Sequence, residues 1–126
     1  MKNNNQGFTL LEVMIAVIIF MLVAVAATDV ASQSADGILR MTDKTLAQMV
    51  AENRYNKIKI AGGLPAKGIT RDTVELADRE WHITTEVEDH DFKMPIPDTR
   101  KIEIRVAYAS DKENPVFSYV GYMGKY

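Results

Sequence analysis

Three sets of residues in this sequence have the chemical types from which sites are built. The first is an acidic group, Glu86, Glu88, Asp89 and Asp91, surrounding His90. Carboxylates at that density hold calcium in some proteins. The same charges also suit a solvated strand end that keeps sheet edges from pairing. The second set is His82 and His90, the only two histidines. Their spacing matches no zinc or hydrolytic signature, and no Gly-x-Ser-x-Gly, phosphate loop or dinucleotide fingerprint accompanies them. The sequence therefore predicts no catalytic residue, no cofactor and no assigned metal ligand. The third feature is a single carboxylate, Glu12, inside GFTLLEVMIAVIIF. A charge within a bilayer costs roughly 2–3 kcal/mol or more, so its presence in such a run asks for a reason.

The element that must carry Glu12 is a long helix. From Phe8 to Ala27 only Thr9 and Glu12 are polar, and twenty helical residues rise about 30 Å, enough to cross a hydrocarbon core. Glu12 then lies near one end of the span. No proline occurs before Pro65, and Gly37 is the only glycine between Gly7 and Gly62. Residues 38–60 place Leu39, Leu46, Met49, Val50, Ile58 and Ile60 largely on one helical face. Ala61-Gly62-Gly63-Leu64-Pro65 then supplies a capping glycine followed by proline. The reading is one helix over residues 8–60, with 8–27 in membrane and the remainder in water.

Beyond Pro65 the period becomes two. Short strands are predicted at Thr73–Leu76, Arg79–Glu88, Arg100–Ala109 and Val116–Tyr122, with Ala77-Asp78 as a tight turn. Residues 89–99 and 110–115 carry the Asp, Asn and Pro of loops. The expected fold is α+β: an antiparallel sheet over 61–126 that packs one face on the aqueous half of the helix. Trp81, Tyr108, Phe117 and Tyr119 are the expected core aromatics. Met94-Pro95-Ile96-Pro97 places apolar residues in a loop, either as a subunit contact or as cover for a sheet edge. Asn53 interrupts the apolar stripe beside Met49 and Val50. It is either a plain surface asparagine or a register-fixing hydrogen-bonding residue, as in coiled coils.

Composition excludes several classes. The 126 residues leave room for one domain and an appendage, with 15 Lys and Arg against 17 Asp and Glu. No basic stripe points to nucleic acid. With no cysteine, disulfides and cysteine zinc sites are out. Ala24-Val25-Ala26 fits the small-x-small pattern of signal-peptidase sites, which would release a soluble periplasmic binding protein beginning at Ala27. Glu12 in the apolar run and the unbroken helical pattern argue against it.

A short polar leader, then Gly7-Phe8-Thr9-Leu10-Leu11-Glu12 and an apolar run, resembles the leader and N-terminus of type IV pilins and pseudopilins. TLAQMVAEN (45–53), TVELADREWHITTEVED (73–89) and RKIEIRV (100–106) are similar to the general secretion pathway protein I family, the minor pseudopilins I of type II secretion. The apolar segment lacks the proline of major subunits. The resemblance implies a pilin-like fold and a prepilin leader over 1–7. It implies cleavage by a prepilin peptidase between Gly7 and Phe8, and N-methylation of Phe8. It also implies pairing of Glu12 with the N-terminal amine of a neighbouring subunit. Implied partners are minor pseudopilins J and K, with H, in a pseudopilus tip complex, together with the major pseudopilin. The implied setting is the inner membrane, N-terminus cytoplasmic and C-terminal domain periplasmic. The implied function is support of pseudopilus assembly and export of folded proteins, without catalysis. A minor pilin of a type IV pilus, for adhesion or DNA uptake, is the alternative. Leu46, Met49, Val50 and Asn53 are the expected contacts with a partner helix.

Overall fold

The computed structural model describes residues 7–90 and 98–125. One helix, α1 (Leu10–Ala61), is followed by four strands, β1 (Gly68–Leu76), β2 (Arg79–Asp89), β3 (Thr99–Tyr108) and β4 (Asp111–Gly124). Two compact units divide the chain, one up to Leu39 and one from Arg40 onward.

In the first unit the residues of α1 are exposed throughout, including Ile15, Ile18, Phe20 and Leu22. Among the described residues α1 is the one helix long and apolar enough to cross a membrane, with a mean hydropathy of 2.9 in its most apolar window. Lipid replaces the core that such a surface otherwise lacks.

The second unit is an antiparallel meander in the order β1-β2-β3-β4, packed on α1. Two inward rows, joined by Met123 of β4, make the sheet's share of the core. Trp81, Ile83, Thr85 and Val87 come from β2, and Ile102, Ile104 and Val106 from β3. Against them α1 presents Ala47, Val50 and Ala51, all buried. The alanines let the helix backbone approach the sheet, and the large strand side chains fill the space beside it. Full burial of Trp81, Ile102, Ile104 and Val106 contributes about 1.5–3 kcal/mol per side chain relative to exposure. The expected aromatics take their places here: Trp81 is fully buried, while Tyr108, Phe117 and Tyr119 pack on the same cluster.

Polar contacts fix the helix on the sheet. Asp43 of α1 accepts hydrogen bonds from Arg79 at the start of β2 and from the Tyr108 hydroxyl at the end of β3. The Tyr108 ring stacks on Trp81 at 5.2 Å, whose indole N–H donates to the Leu76 carbonyl at 3.2 Å. Tyr55 donates to the Tyr122 carbonyl at 3.2 Å and lies against Gly121. A Cβ on Gly121 would meet Tyr55 Cε2 at 2.5 Å, so the glycine leaves room for the ring.

α1 ends as the Gly-Gly-Leu-Pro stretch requires. Gly62 and Gly63 adopt φ of 73° and 74°, the left-handed region where a side chain is penalised. The segment that follows is tied to the sheet by Arg100, which donates to the Pro65 carbonyl at 3.0 Å. It is tied again by the Lys67–Asp89 ion pair, with Arg100 3.5 Å from the same carboxylate.

Two strands exceed the sequence reading. β1 begins at Gly68 rather than Thr73, because pairing with β2 runs from Gly68↔Val87 to Leu76↔Arg79. β4 begins at Asp111, within the stretch read as a loop. Its register with β3 shifts between Val106 and Tyr108, leaving Pro115 opposite Ala107. Such an irregularity on an edge strand accommodates a residue without an N–H.

Candidate functional site

In the first unit, the residues with chemistry gather at the start of α1. Thr9 caps the helix. Its carbonyl accepts the Val13 N–H at 3.2 Å, and its hydroxyl oxygen accepts the Glu12 N–H at 3.3 Å. In return the Glu12 carboxylate accepts the Thr9 N–H through Oε2 at 3.2 Å. This reciprocal arrangement is a capping box, and it satisfies two of the amide donors a helix start leaves over. Phe8 and Val13 flank it at the N′ and N4 positions, where a hydrophobic staple forms. Sequence reasoning missed Thr9, although its signal was present: Thr-x-x-Glu ahead of an apolar run.

The box uses one carboxylate oxygen and only residues 9–12. It does not engage Oε1, and it does not depend on anything before Thr9. Glu12 borders a shallow hollow with Phe8, Val13, Ala16, Val17 and Phe20, so the charge faces an otherwise apolar helix surface.

Gly7 and Phe8 are not needed by the fold. A Cβ at Gly7 would meet nothing within 4 Å, and its backbone is not in the left-handed region. Phe8 is 88% exposed. Neither packing nor backbone geometry explains a Gly-Phe junction at this place.

The four residues expected to meet a partner helix lie in the second unit and do not share one environment. Val50 is 3% exposed and belongs to the core under the sheet, and Leu46 packs partly against it. Val50 is thus corrected from a partner contact to an internal one, because the apolar stripe that revealed it is the stripe the sheet covers. Met49, at 48% exposed, and Asn53 remain on the surface.

The acidic group is distributed rather than convergent. By register Glu86 and Glu88 face away from α1 and Asp89 faces toward it. Glu86 accepts from Arg105 at 2.9 Å, and Arg105 also lies 3.6 Å from Glu103. Asp89 is held by Lys67 and Arg100. The hydrogen bond from Lys67 is the main cause that holds the Asp89 carboxyl below its ordinary range, with Lys67 and Arg100 charges adding to it against a desolvation effect in the other direction. Among the described residues no three His, Asp or Glu side chains come together as a metal site. His90 sits edge-on to Tyr122, with ring centroids 4.6 Å apart. Asp91 and the Met94–Pro97 loop fall outside the described residues.

Comparison with known proteins accounts for both parts of the chain. Residues 2–28 match the prokaryotic N-terminal methylation motif, and residues 41–124 match protein I of the type II secretion system. A type II secretion system protein I from Pseudomonas aeruginosa is 37% identical over 83 residues, which span 66% of this chain and 64% of that protein. One from Klebsiella pneumoniae is 30% identical over 118 residues, 94% of each chain. One from Aeromonas hydrophila is 28% identical over 116 residues, 90% of this chain and 92% of that protein. With its start matched by the methylation motif and its remainder by protein I, the chain belongs to the protein I family of type II secretion pseudopilins.

Proposed function

We propose that this pseudopilin is a minor subunit of the pseudopilus tip, anchored in the inner membrane with its N-terminus cytoplasmic and the residues from about 28 onward periplasmic. Residues 1–7 are its leader and 8–27 its membrane span. A prepilin peptidase cuts between Gly7 and Phe8, and Phe8 is then N-methylated. The protein catalyses nothing. It joins minor pseudopilins J and K, with H, above the major pseudopilin, and the tip complex supports assembly and the export of folded proteins across the outer membrane.

The observation that carries this reading is the combination at the helix start. A glycine and a phenylalanine that the fold does not require stand five and four residues before Glu12, the one carboxylate between Phe8 and Ala27 in a helix apolar enough to cross a membrane. Cleavage at that junction frees an amine on Phe8, and the capping box of Thr9 and Glu12 is untouched by the cut. In a lone subunit amine and carboxylate are poorly paired in the lipid layer. A neighbour in the correct stagger brings its amine to the Glu12 carboxylate, and pairing recovers the desolvation loss only in that register. The cost of Glu12 thereby favours correct stacking.

The structure sharpens the test, because Glu12→Ala would remove a helix cap as well as a charge. Glu12→Gln keeps an acceptor for the Thr9 N–H and removes only the charge. The expected result is normal shortening and membrane insertion with impaired incorporation into the pseudopilus and impaired secretion. Full secretion by Glu12→Gln would overturn the role given to the carboxylate. Gly7→Val should block shortening altogether, and a variant that still shortens normally would overturn the leader assignment.

A further inference from the structure

The middle of α1 lacks what stabilises each of its ends. The unbroken apolar run stops at Ala27, and the first residue of α1 that is not exposed is Asp43, where contact with the sheet begins. Residues 28–42 lie between, and all of them are exposed. Most helices in proteins draw their stability from packing one face against something else. This stretch relies chiefly on hydrogen bonds within the helix, and segments of about 12–15 residues held that way are marginal in water. Independently of what the chain assembles with, we propose that residues 28–42 are a helix–coil joint. They open and re-form locally while the flanking parts of α1 stay intact, and Gly37 sets how readily they open.

The composition of the stretch agrees. In TDVASQSADG (28–37) only Ala31, Gln33 and Ala35 are strong helix formers. Serine and aspartate side chains compete for backbone hydrogen bonds, and threonine and valine lose side-chain freedom against the preceding turn. The Thr28 hydroxyl donates to the Ala24 carbonyl at 2.9 Å, a back-bond that slightly weakens a helix. From Lys44 to Glu52 the balance reverses. KTLAQMVAE is rich in helix formers, Gln48 donates to Glu52 at 2.8 Å, and Ala47, Val50 and Ala51 are buried under the sheet. Low intrinsic propensity and missing packing thus coincide in one stretch of α1, and each is a mark of a segment that opens locally.

Gly37 is the one glycine inside α1. A Cβ there would meet nothing within 4 Å, and its φ is not positive, so neither a close neighbour nor the backbone conformation calls for glycine. In an exposed helix, glycine in place of alanine raises the open population about four- to fivefold. Its effect at this position is on the stability of the joint alone. An unbroken rigid helix would carry every tilt or twist of its apolar end into the residues packed under the sheet. An opened turn near Gly37 absorbs that motion before it reaches Asp43.

Amide hydrogen exchange of the full chain in phospholipid nanodiscs, read by mass spectrometry, tests the joint directly. Peptides covering residues 28–42 should exchange on the order of tenfold or more faster than those covering 46–58. Gly37→Ala should slow exchange across 28–42 about four- to fivefold, and Ala35→Gly should speed it by a similar factor. Both variants should leave the peptides of 46–58 unchanged, because the sheet holds that part of α1. A broad-specificity protease should make its first cut in α1 within 28–42, and Gly37→Ala should slow that cut. Equal protection from residue 28 through 58, or a first cut in α1 beyond Asp43, would overturn the joint. Exchange in 28–42 that is unchanged by both variants would overturn the role of Gly37, and variants that shift 46–58 to the same extent would show α1 opening as one unit.

Discussion

Gly121→Ala tests the packing of α1 on the sheet at the point where the tolerance is smallest. The new Cβ would lie 2.5 Å from Tyr55 Cε2, 3.0 Å from Tyr55 Cζ and 3.2 Å from Tyr119 Cε1. Ordinary carbon contacts begin near 3.5 Å, so the Tyr55 ring must retreat by about 1 Å. The Tyr55 hydroxyl already sits 3.2 Å from the Tyr122 carbonyl, and such a shift takes it past the range of a useful bond. The loss combines about 1–3 kcal/mol for overpacking with about 0.5–1.5 kcal/mol for the hydrogen bond. Against it stands a gain of about 0.4–1 kcal/mol, because alanine restricts the unfolded chain more than glycine does. The net expectation is a destabilisation of about 1–3 kcal/mol, or roughly 4–8 °C in Tm for each kcal/mol in a domain of this size. Trp81 is the only tryptophan and is fully buried, so its fluorescence during guanidinium unfolding of the full chain in detergent reports this unit. Removing the ring in Tyr55→Ala opens space for the methyl group. In that background Gly121→Ala should cost almost nothing, and the double-mutant cycle isolates the clash. An unchanged midpoint, or an equal loss in both backgrounds, would show that no clash with Tyr55 sets the glycine at 121.

Two further perturbations probe the contacts that hold the helix and its exit. Asp43→Ala leaves Arg79 and the Tyr108 hydroxyl without their shared acceptor. It should lower stability by about 1–2 kcal/mol, since bonds to a charged group are worth more than neutral ones but Arg79 is partly solvated; an unchanged unfolding midpoint would contradict the clasp. Asp89 has its folded pKa lowered, so the stability it supplies is present above the ordinary carboxylate pKa and is lost as pH falls through the folded value. The difference in unfolding midpoint between the native chain and Asp89→Asn should therefore be constant near neutrality and shrink below about pH 4. A difference that grew on acidification would contradict the Lys67–Asp89–Arg100 tie.

Much of the second unit was legible in the sequence because two strands bury one face. The alternation of Trp81, Ile83, Thr85 and Val87 against His82, Thr84, Glu86 and Glu88 reappears residue for residue as buried and less buried positions. The edges were less legible. In β1 only Val74 and Leu76 of the inward row are apolar, so the first half of the strand carries no period-two signal. In β4, Asp111 to Pro115 reads as a loop by composition yet continues the ladder. The helix misled in a different way. Ala47 and Ala51 are fully buried against the sheet, but residues that small contribute little to a hydropathy pattern. The larger Val50 therefore looked available to a partner when it serves the chain's own core. The Asp43 clasp and the Gly121–Tyr55 contact join residues far apart in sequence and had no local signal. At the helix start the opposite held, since Gly7, Phe8, Thr9 and Glu12 lie within six residues.

That local cluster also makes maturation at Gly7-Phe8 directly measurable. Mass spectrometry of the protein purified from its native membrane reads the mature N-terminus. The expected result is loss of residues 1–7 and a first residue, Phe8, bearing one methyl group. A chain that still begins at Met1, or one that begins at Ala27, would contradict it.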